Sequence, residues 1–509
     1  MHSFSVYLGR RAQRQPLRIT QGVAMTAPMT DMTETLSIEI IIDSPTGSSA
    51  PTLLSTAARP RSDTVGDLQA DPGQLDRAAA ELARLGFRIL ATSRLSLSIE
   101  GSRGLFAETF GTEMTEYTVP TPESAFTRPS AMSFAAPAVG AAVEPPPSLS
   151  GLVAGAYVQP PFVYLNTVLP PRRTKHHLVV PGDVAALTNA SAVHREGTTG
   201  RGVTVAMIDS GFRIDHPYYV AHGYTMSRIL GPGASDLHRD EVGHGTAEAA
   251  NILAIAPDVT FIGVKSGPSL AAAFKETVKL GPDVISVSLG FDLRDPATGL
   301  PLSSLPNLHK ALEAEIAQAV ADGIVVVFSA GNGHIAFPGM HPDVISAGGV
   351  SVDASSHMQA SDYASAFVSR IYPGRACPDV CGLVGMKPHA DLILLPLEPG
   401  CDIDRDTAAH DGTVADDGWS VISGTSAAAP QLAGVVALLL EKNPGLSPAE
   451  VKTALRTTAR DVVKGSANGI SNPVRQNGQL THVGLRAGQG LDSATGSGLV
   501  DALAAWKQV

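Results

Sequence analysis

The chain of 509 residues is 44% apolar, enough to bury a large core and to form roughly two to four domains. Charged residues make up 17% and the formal net charge is -11; with no long basic run to track a phosphate backbone, nucleic acid is not an expected partner. No segment approaches the roughly 20 apolar residues of a membrane span, and three cysteines, an odd number, argue against a disulfide framework and for a reducing compartment.

Residues 1–34 read as a flexible N-terminal segment. Arg10, Arg11, Arg14 and Arg18 are followed by no apolar stretch of the secretory kind, so the sequence predicts a cytoplasmic protein, with Met25, Met29 and Met32 as alternative starts. Leu36 to Ile42 (LSIEIII) predicts a strand. Leu75, Ala79, Leu82 and Leu85 recur at helical spacing, and Gly86 supplies a stop. Phe87 to Ala91 and Leu95 to Ile99 predict short strands, Gly104 to Phe110 a second helix, and Thr112 to Val119 a last strand. Residues 35–119 thus follow a β-α-β-β-α-β, ferredoxin-like α+β plan.

Residues 120–185 form a Pro/Ala-rich connector, with EPPPS and VQPPF interrupting any regular pattern and Leu149 to Tyr157 expected as one short helix. From about residue 186 to 509 apolar runs alternate with small-residue helices. VTVAMI (203–208), residues 259–264, VISVSL (284–289), IVVVF (324–328) and 344–347 lack the alternation of a half-solvated strand and suit parallel strands covered on both faces. This region is therefore α/β, and in such sheets active groups gather beyond the carboxyl ends of the strands.

Four places near those ends carry chemistry. Asp209 closes VTVAMI; alone, a turn-capping role would account for it. His244, in Gly243-His244-Gly245-Thr246, opens a small-residue helix, where the backbone can hold a base steady between two proton partners. Ser426 lies in SGTSAAAP at the start of a helix apolar on nearly all sides, whose free N-H groups and dipole face an oxyanion; Pro430 is expected in the first turn. Ordinary N-capping would also explain Ser423, Thr425 and Ser426, but not the alanines and glycines that admit another backbone. Asn332 follows IVVVFSAG at a strand end, where its amide can donate to a carbonyl oxygen as charge develops.

VAMIDSG, GHGTAEAA, SAGN and SGTSAAAPQLAG together resemble, in order and local sequence, the signature segments of subtilisin-like serine peptidases. The resemblance extends from about residue 186 through LSPAEVKTALRTTARDV to GSGLVDALAA. It implies a subtilisin-like parallel sheet flanked by helices. It also implies Ser426 as nucleophile, His244 as general acid/base and Asp209 as the carboxylate orienting it. Asn332 and the Ser426 N-H would form the oxyanion hole, Ser288, Leu289 and Gly290 would pair with substrate backbone, and Ser329, Ala330 and Gly331 would border the pocket before the scissile bond. ELARLGFRILATSRLSLSIEGSRGLFAETFG and PPPSLSGLVAG resemble the propeptide of sedolisin-type peptidases, whose catalytic domains use Glu, Asp and Ser. The resemblance implies a protein or peptide substrate and the chain's own propeptide as intramolecular inhibitor, cleaved within 120–185.

Two departures stand out. Ala247 and Glu248 occupy places where the family more often has His and Val, and Glu248 reads as a solvated helix residue rather than one tuning His244. RACPDVCGLVGMKPHADLILLPLEPGCDIDRD (375–406) is extra sequence, expected to shape substrate selection. Cys377, Cys381 and Cys401 with His389 and His410 match no zinc spacing and read as free thiols. Calcium is implied by resemblance alone: Asp402, Asp404 and Asp406 alternate as in a calcium loop, but Thr407 stands where a glycine would make the turn. No metal ligand is assigned. The expected function is a serine endopeptidase made as a zymogen. The alternatives are a pseudopeptidase or binding scaffold that retains its propeptide, and a dedicated processing peptidase or transpeptidase.

Overall fold

The computed structural model describes residues 34–43, 52–54, 60–120, 131–138, 143, 145–160, 163–164, 177–295, 297–387, 393–408 and 411–509. The N-terminal segment up to residue 33, much of the connector, and His389 and His410 lie outside the described residues. No helix among the described residues is long and apolar enough to cross a membrane.

The N-terminal unit is built on β1 (Thr35–Ile42), α1 (Pro72–Leu85), β2 (Arg88–Thr92), β3 (Ser96–Ser102) and α2 (Arg103–Thr109). Asp71 caps α1 by accepting from the Gln74 N-H at 2.9 Å, Pro72 occupies the first position, and Gly86 ends the helix at φ 108°. Two expectations are corrected here. The predicted last strand, β4 (Met114–Pro120), leaves the sheet and pairs only with β5 (Ala131–Pro137), as a separate two-stranded ribbon. The fourth strand of the sheet is instead β6 (Val153–Val158), within the segment expected as a helix, giving the antiparallel order β2-β3-β1-β6. The sequence there is VAGAYV: valines and an interior glycine weaken a helix, and a half-buried pleated surface takes them readily. The N-terminal unit therefore runs into the connector, which contributes two strands to it.

The larger unit is a subtilisin-like α/β fold. Its eight-stranded sheet contains β8 (Thr204–Asp209), β9 (Met226–Leu230), β10 (Thr260–Lys265), β11 (Val284–Val287), β13 (Val325–Ser329), β14 (Ile345–Val352), β15 (Met358–Ala360) and β16 (Val380–Leu383). The strand order is β9-β10-β8-β11-β13-β14-β15, with β16 also on β14; all pairings are parallel except that of β15. Successive side chains point to opposite faces and both faces are dry. Val205, Met207, Val325 and Val327 meet α3 (His244–Ile255) and α6 (Thr425–Lys442). Ile208, Ile285, Val326 and Phe328 meet α4 (Leu270–Lys279) and α5 (Lys310–Ala321).

α3 and α6 are buried along nearly their whole length and touch closely: a Cβ on Gly434 would lie 2.6 Å from Ile255 Cβ. Where it is described, the extra segment 375–406 is built into the larger unit. Val380–Leu383 is a sheet strand, and Ile393–Pro396 pairs with Trp419–Ile422 while Leu395 and Leu397 enter the core around α3.

Candidate active site

The carboxyl ends of β8, β11 and β13 bring the candidate residues to one edge of the sheet. Asp209 is the last residue of β8 and His244 the first of α3. His244 Nδ1 lies 2.7 Å from Asp209 Oδ1, with both side chains fully buried. The approach requires Gly245, because a Cβ there would fall 2.3 Å from the Gly211 carbonyl oxygen and 2.9 Å from Asp209 Cβ. The Ser210 N-H also donates to Asp209 Oδ1, at 2.7 Å.

Asp240, which sequence reasoning passed over, organises the start of α3. Its carboxylate accepts from the Gly243 and Thr246 N-H groups at 2.9 and 2.8 Å, and from the Thr246 and Ser210 hydroxyls at 2.6 and 2.7 Å. Ser210 Oγ in turn accepts from the Gly245 N-H at 2.9 Å. The signal was an acid just ahead of a helix start, where a carboxylate suits the orphan N-H groups and the dipole. Segment 375–406 supports the same corner: Glu398 accepts from the Asp240 N-H, and Cys401 packs against Gly243.

Ser426 is the second residue of α6. Pro430 stands inside this helix, not in its first turn as expected. Lacking an N-H, it leaves the Ser426 carbonyl without its helical donor. The Ser288 hydroxyl, just past β11, donates to that carbonyl at 3.0 Å. Ser288 thus holds the serine's backbone. Ser426 Oγ is buried and has no hydrogen-bond partner among the described residues.

Asn332 follows β13, and its Oδ1 accepts from the Thr425 N-H at 2.9 Å, which turns the amide NH2 away from that N-H. The Thr425 hydroxyl accepts from the Gly331 N-H at 3.0 Å, tying the Ser329-Ala330-Gly331 stretch to the start of α6. Leu289 and Gly290 begin β12 (Leu289–Asp292), and they pair antiparallel with Tyr164 and Val163 of the short strand β7 (Val163–Tyr164). The connector therefore lies on this strand of the larger unit.

Burial alone would depress the His244 imidazole, but the carboxylates of Asp209, Glu248 and Asp240 hold it up at about 9. Glu248 corrects an expectation: it is fully buried, not solvated, and burial pushes its carboxyl up to about 8. Every residue of α3 is buried, so no face was available to water. Burial also raises Asp240, to about 6, against four hydrogen bonds that oppose the rise.

The three cysteines are buried free thiols. Asp402 to Thr407 form a helix rather than a loop, with Asp404 accepting from the Gly400 and Gly418 N-H groups. Among the described residues no group of three or more His, Cys, Asp or Glu side chains could hold a metal ion. The residues at the alternating aspartates do not fit calcium.

A closely packed pair of buried helices on a mostly parallel sheet, with Asp, His and Ser in that chain order at its carboxyl edge, defines a subtilisin-like protein. The chain belongs to the Subtilase family, whose sequence profile matches residues 200–498. It is 29% identical over 294 residues to subtilisin amylosacchariticus of Bacillus subtilis subsp. amylosacchariticus. It is 30% identical over 311 residues to serine protease AprX of Bacillus subtilis (strain 168). Each match covers 53% of this chain and 64% of the relative, so the chain spans less than two thirds of the length of these curated relatives. In fold it is similar to fervidolysin from Fervidobacterium pennivorans, a keratinolytic enzyme related to subtilisin. That crystal structure has a TM-score of 0.52 at 16% identity and covers 94% of this chain and 62% of that one.

Proposed function

We propose that the protein is a serine endopeptidase that hydrolyses peptide bonds through an acyl-enzyme on Ser426 and is made as a zymogen. The observation that carries the reading is the 2.7 Å contact of His244 Nδ1 with Asp209 Oδ1, at the start of a buried helix packed against α6, whose second residue is Ser426.

In this reading Asp209 fixes the tautomer that keeps the proton on Nδ1 and leaves Nε2 to take the Ser426 hydroxyl proton. The serine oxygen attacks the scissile carbonyl, and the Asn332 amide and Ser426 N-H receive the oxyanion. His244 then returns its proton to the leaving amine. Water repeats the sequence, with His244 taking its proton and Ser426 departing as the alcohol. The Thr425 N-H bond to Asn332 Oδ1 supports the oxyanion role, because it holds the amide before any substrate arrives.

The zymogen part rests on the pairing of Val163–Tyr164 with Leu289–Gly290, the strand assigned to substrate, and on the complete burial of Asp209, His244 and Ser426 in the full chain. It supports the N-terminal unit as propeptide and a first cut within the connector, just beyond Tyr164. A fluorophosphonate probe should label Ser426 once the connector is cut, and self-cleavage should occur in the parent chain but not in Ser426→Ala. Intact, unlabelled chains in both would instead favour a scaffold that keeps its N-terminal unit.

A further inference from the structure

Glu248 lies one turn after His244 on α3, every residue of which is buried. Its Oε2 accepts from Asn251 Nδ2 at 2.9 Å, and Asn251 Oδ1 accepts from Gln431 Nε2 of α6 at 3.1 Å. Gln431 is itself tied to both backbone groups of Leu383, at 2.7 and 3.0 Å. This chain of amides holds the carboxyl in one place. Its other oxygen, Oε1, has no hydrogen-bond partner among the described residues and lies 4.0 Å from His244 Nε2.

A buried carboxyl with one oxygen unsatisfied destabilises a fold. Its neighbours Ala247, Ala249 and Ala250 show that alanine suits this helix, so packing gives no reason for an acid. What the acid does face is the nitrogen that must carry a proton between Ser426 and the leaving group. The imidazole is thus held between two carboxyls, Asp209 at Nδ1 and Glu248 near Nε2.

We propose that Glu248 is a positioning residue that acts through His244: its negative charge favours the imidazolium and thereby sets the pH below which the base is lost. The consequence for the rate rests on the peptidase reading, while the effect on His244 does not. The titratable groups that face it are His244 on its own helix, Asp209 at the end of β8 and Tyr219 from Pro217–His222, while Asp240, ahead of α3, acts on His244 and Tyr219; α6 contributes the neutral Gln431. Asp209 and burial both favour protonated Glu248, and the imidazolium opposes them, so Glu248 and His244 titrate together.

An opposite charge at this distance moves a partner's midpoint by about 1–3 pH units. Glu248→Gln keeps the bond to Asn251 and removes the charge. In the full chain carrying Ser426→Ala, with histidines 13C-labelled at Cε1 and His244 assigned by its loss in His244→Gln, the His244 midpoint should fall by about 1–3 pH units in Glu248→Gln. With Ser426 intact, the acid limb of the fluorophosphonate labelling rate should fall with it. An unchanged His244 midpoint in a variant with the parent's circular dichroism and thermal unfolding would overturn the proposal. Should Glu248→Gln not fold, the 13Cδ signal of Glu248 in the Ser426→Ala chain decides. An ionised fraction during the His244 titration supports the proposal, and a carboxyl that stays protonated throughout overturns it. Failure of the parent to label at any pH would sink the peptidase reading alone, and the titration would still decide the role of Glu248.

Discussion

At the carboxyl edge of the large sheet, the charges facing His244 come from Asp209, Asp240 and Glu248, all within the subtilisin-like unit. Between the two units the buried charges are divided. Lys275 of α4, fully buried, donates at 2.8 Å to Glu39 of β1 and at 2.8 Å to Ser98 of β3. Glu315 of α5 accepts from Ser93 and Ser96 beside β3. The first cluster keeps its partners whether or not the N-terminal unit is present; the second is satisfied only while the units are docked. If they part, water replaces each lost partner, so the ion pair contributes register more than holding strength. The holding is apolar: Ile41, Leu53, Val65, Leu68 and Leu95 pack on Ala311, Ala314 and Ala317, whose small side chains bring α5 close to the sheet.

The sharpest way to break this contrast is to damage one cluster and read both. Asp209→Asn should leave docking unchanged while lowering the Ser426 labelling rate by about 10⁴-fold, through the wrong imidazole tautomer. A comparable loosening of the N-terminal unit, read by hydrogen exchange of β1 and β3 amides, would show that the clusters are not separate. Lys275→Met should do the reverse. Leaving Glu39 buried without its cation should weaken docking by about 3–5 kcal/mol, and adding Glu39→Met should recover most of that loss. The check is denaturant-dependent exchange of the same amides, with labelling of Ser426 undiminished. Asn332→Ala should lower the rate by about 10²–10³-fold and leave those amides as protected as in the parent.

The two regions also differ in how far the sequence disclosed them. Asp209, His244, Asn332 and Ser426 stood out as candidates because each lies at a strand or helix end inside one of four ordered segments that together resemble a family signature, and Gly245 against Asp209 illustrates the close approach that the small residues there allow. Asp240 and Glu248 were not, since a lone acid in or before a helix ordinarily meets water, and only the packing of α3 on α6 and the sheet removes it. Pro430 was placed in a first helical turn because its missing N-H is harmless there; deeper in, the loss is repaired by Ser288, far away in sequence. The Glu39 to Lys275 pair spans 236 positions and leaves no local pattern. The sheet's parallel strands were readable as dry apolar runs, whereas VAGAYV carried small residues that fit either a helix or a crowded strand.

The smallest expected effect concerns pH and the divided cluster. Burial raises the Glu315 carboxyl above its ordinary 4.5, although the Lys275 charge and the Ser93 hydroxyl oppose the rise. When the units separate, Glu315 meets water and returns towards its ordinary value, so the docked form binds a proton that the separated form releases. Docking is then fully favoured below the ordinary carboxyl range and weakens as pH rises towards the raised value, by at most about 1.4 kcal/mol for every tenfold weakening of the carboxyl's acidity. Exchange of β1 amides in the Ser426→Ala chain should accordingly quicken, beyond the intrinsic pH effect, as the medium passes from acidic to neutral. In Glu315→Gln that extra quickening should vanish, while the His244 titration stays where it was. A Glu315→Gln chain that loosened with pH as the parent does would mean that another group, on the N-terminal side of the interface, carries the proton linkage.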